Sequence, residues 1–468
     1  MRFKISEKTY AWLIPALFLT GLGIILNPRP SFDILLAALA ILMLGQAILK
    51  DNLILLFLLL RPALDLWRDL VLFEYQDFAV NLNAALALVM LLWLLSMLYK
   101  YRHSVRSVPP MALFALMSGL MFASAFYSVS KITTLVEAAK FLNIVCIFAV
   151  SYLLIKEKKL SKQTLLITLI VSALIPLSLA LYQLFTGSGI STFGLRGRIH
   201  GSFAHPNVFA FFTLSFLFIQ IQYSALAKHV LFVKYKYLDK ILYTLLAILL
   251  LFTYTRAAWI GLAVFLFVLG IVYNTKLLHR FILGIALSYA LFFAINSVLI
   301  HYYDYSLREI PLVERLTGRN EDADSLAWRQ ALVRETLPII RARPYFGFGY
   351  GTFPTVWEEN RSLGHLWDDS AEAHNDYLRM ALEIGLIGLA LYILLLISLI
   401  ALVFRLFRRE ARSGKRYQYL CLLAWLISFA VLSFSDNMLH HTPVIWLTAS
   451  WWGASLARPV SHDEPNFV

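Results

Sequence analysis

The chain has 468 residues, of which 60% are apolar and 15% charged, with a formal net charge of +13. Soluble domains run near half apolar and about a quarter charged, so this composition excludes a string of soluble domains. It points instead to an all-α polytopic membrane protein, whose excess of basic residues belongs to its loops and implies no nucleic acid. The two cysteines, Cys146 and Cys421, lie inside apolar runs without CxxC or Cys/His neighbours, so neither a disulfide framework nor a zinc site is expected.

Residues 1–8 are basic and 10–27 are apolar; because further apolar runs follow, the first run reads as an anchor and not as a cleavable signal. About 20 apolar residues cross the roughly 30 Å of hydrocarbon in a bilayer. Runs of that kind fall at 10–27, 32–49, 78–99, 108–127, 137–155, 163–186, 206–225, 238–254, 257–274, 280–300, 376–404, 417–435 and 441–457. A shorter run, 52–66, is interrupted by Arg61-Pro62 and reads as a span or a re-entrant piece, which makes thirteen or fourteen helices. The expected division is a helix bundle over 1–299, one large outward loop over 300–375, and C-terminal spans with a short tail over 376–468.

Charge sets the topology. Lys100/Arg102/Arg106, Lys156/Lys158/Lys159/Lys162, Lys228/Lys234/Lys236/Lys240, Lys276/Arg280 and the Arg405–Arg416 cluster recur on every second loop, which marks those loops as cytoplasmic. Full crossing by 52–66 keeps the first loops in phase with the rest. On the opposite face the basic residues are nearly all arginine, with Lys131 and Lys140 the exceptions. Arginine is the planar, always-charged fork that suits carboxylate and phosphate. A long translocated loop carries arginine freely, but Arg198 and Arg256 sit in short loops or at helix ends. Within 300–375, Asp324–Arg343 places Leu326, Leu332, Val333, Leu337 and Ile340 at helical spacing, as in an amphipathic helix at the outer interface.

Four outward stretches hold candidate chemistry. Arg196, Arg198, His200, His205 and Asn207 gather cationic and hydrogen-bonding groups just before a helix starting at Pro206, and a helix start favours anions. The bland alternative is a solvated loop. Arg256, in Thr253–Trp259, either snorkels at the membrane rim or faces the bundle interior and binds a partner. His374 stands at a loop-to-helix junction where an imidazole can reach a substrate, while Asn375 suits a helix cap and Arg379 with Glu383 suits an i,i+4 ion pair. Asp436, His440 and His441 read as a rim feature. Two motifs are discounted: Asp322-Ala-Asp324 as a chance DxD in a solvated turn, and Gly347-Phe-Gly-Tyr-Gly351, which lacks the strand-then-helix setting of a nucleotide loop.

Taken in order, GRIHGSFAHPNVFA (197–210), TRAAWIGL (255–262), WRQALVRETLPIIRARPYFGFGYGTF (328–353) and AHNDYLRMALEIGLIGL (373–389) resemble the O-antigen ligase and polymerase superfamily of bacterial envelope proteins. The resemblance covers about residues 160–400. Thr255 departs from it, since serine usually precedes the arginine in that family. The resemblance implies a fold similar to the C-type membrane glycosyltransferases, in the bacterial cytoplasmic (inner) membrane with the active face periplasmic or extracellular. It implies an undecaprenyl-pyrophosphate-linked glycan as donor and a glycolipid or glycan as acceptor, as in lipopolysaccharide assembly, with membrane lipids around the protein. Carried over by position, Arg198 and Arg256 bind pyrophosphate and His374 stands at the reacting centre. Arg196, His205, Asn207, Asn375, Arg329 and Glu383 are further candidates for substrate binding.

The expected reaction is inverting and needs neither metal nor cofactor, because two arginines can neutralise the leaving pyrophosphate. Ligase, polymerase and protein-glycosylating activities share these motifs and differ in acceptor; ligase is preferred, with polymerase next. An anion transporter is the alternative from another class. Such carriers often show paired repeats with broken helices in both halves, and no such pairing is visible in the sequence.

Overall fold

The computed structural model describes residues 50–75, 78–192, 195–226, 236–273, 275–303, 325–360 and 372–458. The first two expected spans, 10–27 and 32–49, and the 322–324 motif lie outside these residues. What is described is an all-α polytopic membrane protein. Five helices are long and apolar enough to cross a membrane by length and composition, and shorter apolar helices lie among them.

In chain order the helices are α1 (Leu53–Leu64), α2 (Leu82–Lys100), α3 (Met111–Ala123), α4 (Lys131–Lys156), α5 (Lys162–Ser172), α6 (Leu174–Thr186), α7 (Pro206–Leu226), α8 (Lys236–Phe252), α9 (Arg256–Tyr273) and α10 (Thr275–Tyr303). Then follow α11 (Ser325–Ala342), α12 (Phe353–Asn360), α13 (Asp376–Glu383), α14 (Gly385–Arg409), α15 (Ser413–Leu432) and α16 (Thr442–Leu456). Two antiparallel hairpins precede α2 and α7: β1 (Val71–Tyr75) with β2 (Phe78–Asn81), and β3 (Ile190–Thr192) with β4 (Leu195–Arg198).

Helices α4 and α16 pack together at the centre. Asn143–Ile155 of α4 and Pro443–Leu456 of α16 are buried without a break, as expected of helices apolar on every side. Side chains on α2, α9 and α14 are instead largely exposed and apolar, among them Leu92, Phe267 and Ile397, and form the surface offered to lipid.

The two ends of the bundle differ as the charge pattern expects. At one end Lys100 pairs with Asp51 at 2.6 Å, Ser104 donates to Glu157, Lys156 to Ser107, and Lys162 to the carbonyl of Ser455. At the other end lie both hairpins and the arginine-bearing loops. The 52–66 segment joins the two. Its α-helix has 12 residues, about 18 Å at 1.5 Å per residue, but 3-10 turns extend it to Lys50 and Trp67. Asp51 meets Lys100 and Asp65 meets Asn83, so the segment runs alongside α2 from end to end.

Two expected spans are interrupted. The 163–186 run divides at Ala173 into α5 and α6, because Pro176 has no N–H to give the Ser172 carbonyl. The 376–404 run divides into α13 and α14. Gly385 adopts φ +69°, and a Cβ there would collide with the backbone of Tyr345. Leu386 N–H donates to the Pro344 carbonyl at 2.7 Å in place of a helical partner. The expected single apolar face of α11 also divides. Leu332 and Ile340 are buried with Ile339, whereas Val333 and Leu337 are exposed.

Candidate functional site

The site is built on the loop between β4 and α7. Gln183 of α6 pins this loop: its Oε1 accepts from His200 N and Gly201 N, both at 2.9 Å, and its Nε2 donates to Gly201 O. Burial lowers the pKa of His200, with Arg68 pushing the same way, and Nδ1 lies 2.7 Å from the Phe203 carbonyl, which opposes the shift. Ser202 donates to the carbonyl of Pro62 in α1. The loop is thus held between α1 and α6, and it delivers Asn207 to the first turn of α7.

Arg198, at the end of β4, points inward and is 1% exposed. Its Nε donates to Thr253 O at 3.0 Å, and its Nη2 lies 3.3 Å from Asn207 Oδ1 and 3.5 Å from Thr255 Oγ1. Thr255 also donates to Asn207 Oδ1 at 3.2 Å. A hydroxyl is what this position uses, and threonine supplies it as serine would. Tyr254 between them has φ +52°, a costly conformation for a side chain of its size. Arg256, directly after Thr255, opens α9 half-buried.

Asn207 passes the contact onward, its Nδ2 donating to Asp436 Oδ2 at 2.9 Å. Asp436 is the hub. It lies in the turn between α15 and α16, 1% exposed, with His441 Nε2 at 3.0 Å and His374 Nδ1 at 3.6 Å from Oδ1. Burial alone would raise its pKa, but the His441 and His374 imidazoles hold it well below the usual carboxylate range. His441 stacks on Phe211 with ring centroids 5.5 Å apart. The expectation that Asp436 and His441 form a rim feature is therefore corrected: they lie inside the cluster, because the α15–α16 turn folds beneath the start of α13. His440 turns the other way, 3.8 Å from Glu137 of α4.

His374 has φ +44°, one of three non-glycine residues with positive φ among those described, and Tyr254 is another. Two of these three strained positions flank the same cluster. Such strain persists only where the surroundings impose it. Asn375 caps α13 through its side chain, accepting from Leu378 N at 3.0 Å, while its own N–H donates to Asn437 Oδ1. Asn437 in turn donates to Glu372 at 2.8 Å. His205 receives the N–H of Asn207 on Nδ1. Burial, with Arg198 nearby, pushes its pKa down to about 4 against the pull of Asp436, so it is neutral at physiological pH.

The remaining candidates lie elsewhere. Glu383 is fully buried, accepting from Arg379 Nε at 2.8 Å and from Phe353 N at 3.1 Å. The pair joins α13 to the Gly-rich turn, whose Phe348 and Gly349 N–H groups donate to the carbonyls of Leu382 and Glu383. Gly347 has φ +68°, and a Cβ there would strike the Leu382 and Glu383 backbone, so this glycine serves close packing. Arg329 sits half-buried on α11, which packs on α13, and Arg196 lies in β4. Arg61, in α1, is buried, paired with Asp65 at 2.6 Å, and donates to Thr442 beside His441. Among the described residues no group of three or more His, Cys, Asp or Glu side chains is arranged to hold a metal ion.

The fold and this cluster define a multi-pass helical membrane protein with one recessed polar site at the arginine-rich end of its bundle. Residues 241–393, about a third of the chain, match the family model described as O-antigen ligase, which supports the likeness to the O-antigen ligase superfamily. No curated protein matches the chain. Of the cluster, the matched stretch contains Thr255, Arg256, His374 and Asn375, and it also contains Arg329 and Glu383; Arg198, Asn207, Asp436 and His441 join the cluster from outside it. That match supports an envelope glycan process of the ligase or polymerase type.

Proposed function

We propose that the protein transfers a glycan from an undecaprenyl-pyrophosphate carrier to an acceptor hydroxyl, at the outer face of the bacterial cytoplasmic membrane. One observation carries this reading: His374 and the Arg198–Asn207–Thr255 group meet on a single buried carboxylate, Asp436, beside Arg256.

In this reaction the acceptor oxygen attacks the anomeric carbon, the bond from that carbon to the pyrophosphate oxygen breaks, and direct attack inverts the centre. The acceptor proton goes to His374. Its Nδ1 faces Asp436, so Nε2 is the nitrogen assigned to receive the proton, and Asp436 stabilises the imidazolium that forms. A positioned base of this kind contributes about 10²–10⁴-fold. The departing pyrophosphate gains negative charge and needs fixed positive charge that does not reorganise. Arg256, half-buried at the start of α9, is assigned to contact it, because the helix N-terminus adds its own attraction for anions. Arg198 is buried beneath, where it holds Asn207 and Thr255 in place and adds positive potential.

The test uses purified His374→Ala and Arg256→Ala proteins in lipid with a lipid-pyrophosphate glycan donor. Folded variants that have lost transfer support the assignment, and folded variants at the original rate overturn it. The acceptor is read from a deletion strain. A glycan ladder that persists unattached on its carrier indicates a ligase, the reading we favour; a ladder that collapses to single repeats indicates a polymerase.

A further inference from the structure

Helix α11 has two different faces. Leu332, Ile339 and Ile340 are buried, in the same apolar cluster as Leu378 and Leu382 of α13. The opposite face carries Val333 and Leu337, 36% and 44% exposed, with Arg334 and Arg341 beside them. Past the helix the chain stays exposed through Arg343, Tyr345 and Phe346. From Gln330 to Phe346 the exposed charged residues are three arginines and no carboxylate.

This surface continues into the lipid-facing side of the bundle. The Leu386 N–H donates to the carbonyl of Pro344, and Leu386 and Ile387 are themselves exposed in the first turn of α14, a helix able to cross a membrane. On the other side Tyr127 donates to the Phe346 carbonyl at 2.9 Å and its ring meets that of Phe346, while Phe126 is 89% exposed. Exposed aromatic rings, aliphatic side chains and arginines, with the one carboxylate of the segment, Glu335, half-buried, match one environment. It is the headgroup layer of a bilayer, where rings sit at the acyl boundary and guanidinium groups pair with phosphate.

We infer that the Val333–Phe346 segment is seated in the bilayer surface, with Leu337, Phe346 and Phe126 at the acyl boundary and Arg334, Arg341 and Arg343 on lipid phosphates of the same leaflet. The seat is independent of the glycan-transfer reading. It holds the turn whose next residues, Phe348 and Gly349, pair with the end of α13, so lipid contact fixes the platform of His374 from outside.

Full-length protein in vesicles of phosphatidylcholine and phosphatidylglycerol tests the seat. With the buried Cys146 and Cys421 replaced by alanine, a nitroxide is placed through Leu337→Cys or Phe346→Cys, and through Glu359→Cys on the exposed part of α12. Labels at 337 and 346 that collide with oxygen and exclude a hydrophilic nickel chelate, with the reverse at 359, support the inference. Labels at 337 and 346 as open to nickel as the one at 359 overturn it and leave the surface to water or a protein partner. Native mass spectrometry of otherwise unaltered protein covers labelled variants that fail to fold. A combined Arg334→Gln, Arg341→Gln, Arg343→Gln protein is expected to retain several-fold less phosphatidylglycerol, and equal retention overturns the phosphate contact. Neither measurement involves a glycan, so failure here is separate from failure of the functional reading.

Discussion

Two polar clusters meet on α13 and use buried charge differently. Around Glu383 and Arg379 the ion pair is sealed, with both side chains at most 2% exposed; Glu383 also holds the Phe353 N–H, and Arg379 reaches Glu372 at 3.5 Å. Around Asp436 the carboxylate is equally buried, but its partners His374 and His441 are about a fifth exposed or slightly less. A substrate can therefore reach them. The sealed pair fixes the shape of α13, and the cluster at its other end is half-open. Under the proposed function the same eight-residue helix is a structural part at its C-terminus and a reactive part at its N-terminus.

Substitutions should separate these roles. His374→Ala is expected to lower glycan transfer by about 10²–10⁴-fold, the range of a positioned base, with an unchanged melting temperature in detergent; a parallel fall in melting temperature would erase the distinction between the clusters. Glu383→Ala should do the opposite first, destabilising by about 3–5 kcal/mol because it leaves a buried guanidinium with only its longer contact to Glu372, read as a lower melting temperature. Asp436→Asn keeps the shape but loses the charge that orients His374. About 10²-fold loss of transfer, the scale of a misplaced catalytic group, is expected in kcat more than in KM. Thr255→Val removes one buried hydroxyl, about 1 kcal/mol, and Thr255→Ser should restore nearly all of it. The smallest effect is in acid. The Asp436 carboxyl is held below its unfolded value, so its stabilisation is complete above the ordinary carboxylate range, about pH 4, and is lost as pH falls through the lower folded value. The acid limb of an unfolding curve should be less steep in Asp436→Asn than in the natural protein.

Much of the frame could be read from the sequence, because hydropathy and lysine placement act locally. The spans of α2, α7, α9 and α16 fall where their apolar runs do, and Asn375 caps α13 as its residue type suggests. The role of Asp436 was not legible. It depends on a hydrogen bond to Asn207 across 229 residues, and an Asp-x-x-x-His-His stretch has no local pattern that sets it apart from a solvated turn. The break before Gly385 was hidden for a related reason. A hydropathy window averages over it, and the carbonyls that capture the freed N–H groups come from Pro344 and Tyr345. The divided face of α11 shows that helical periodicity finds apolar positions without telling protein from lipid as their partner.

The Gly385 break also determines what moves together. Asp376 N–H is bonded to Ser433 O at the end of α15, and the far end of α13 is bonded to the Gly-rich turn. Because α13 is jointed to α14 instead of continuous with it, the long span communicates with the histidine platform through the Pro344–Gly349 segment, which bonds the first turn of α14 on one side and the end of α13 on the other.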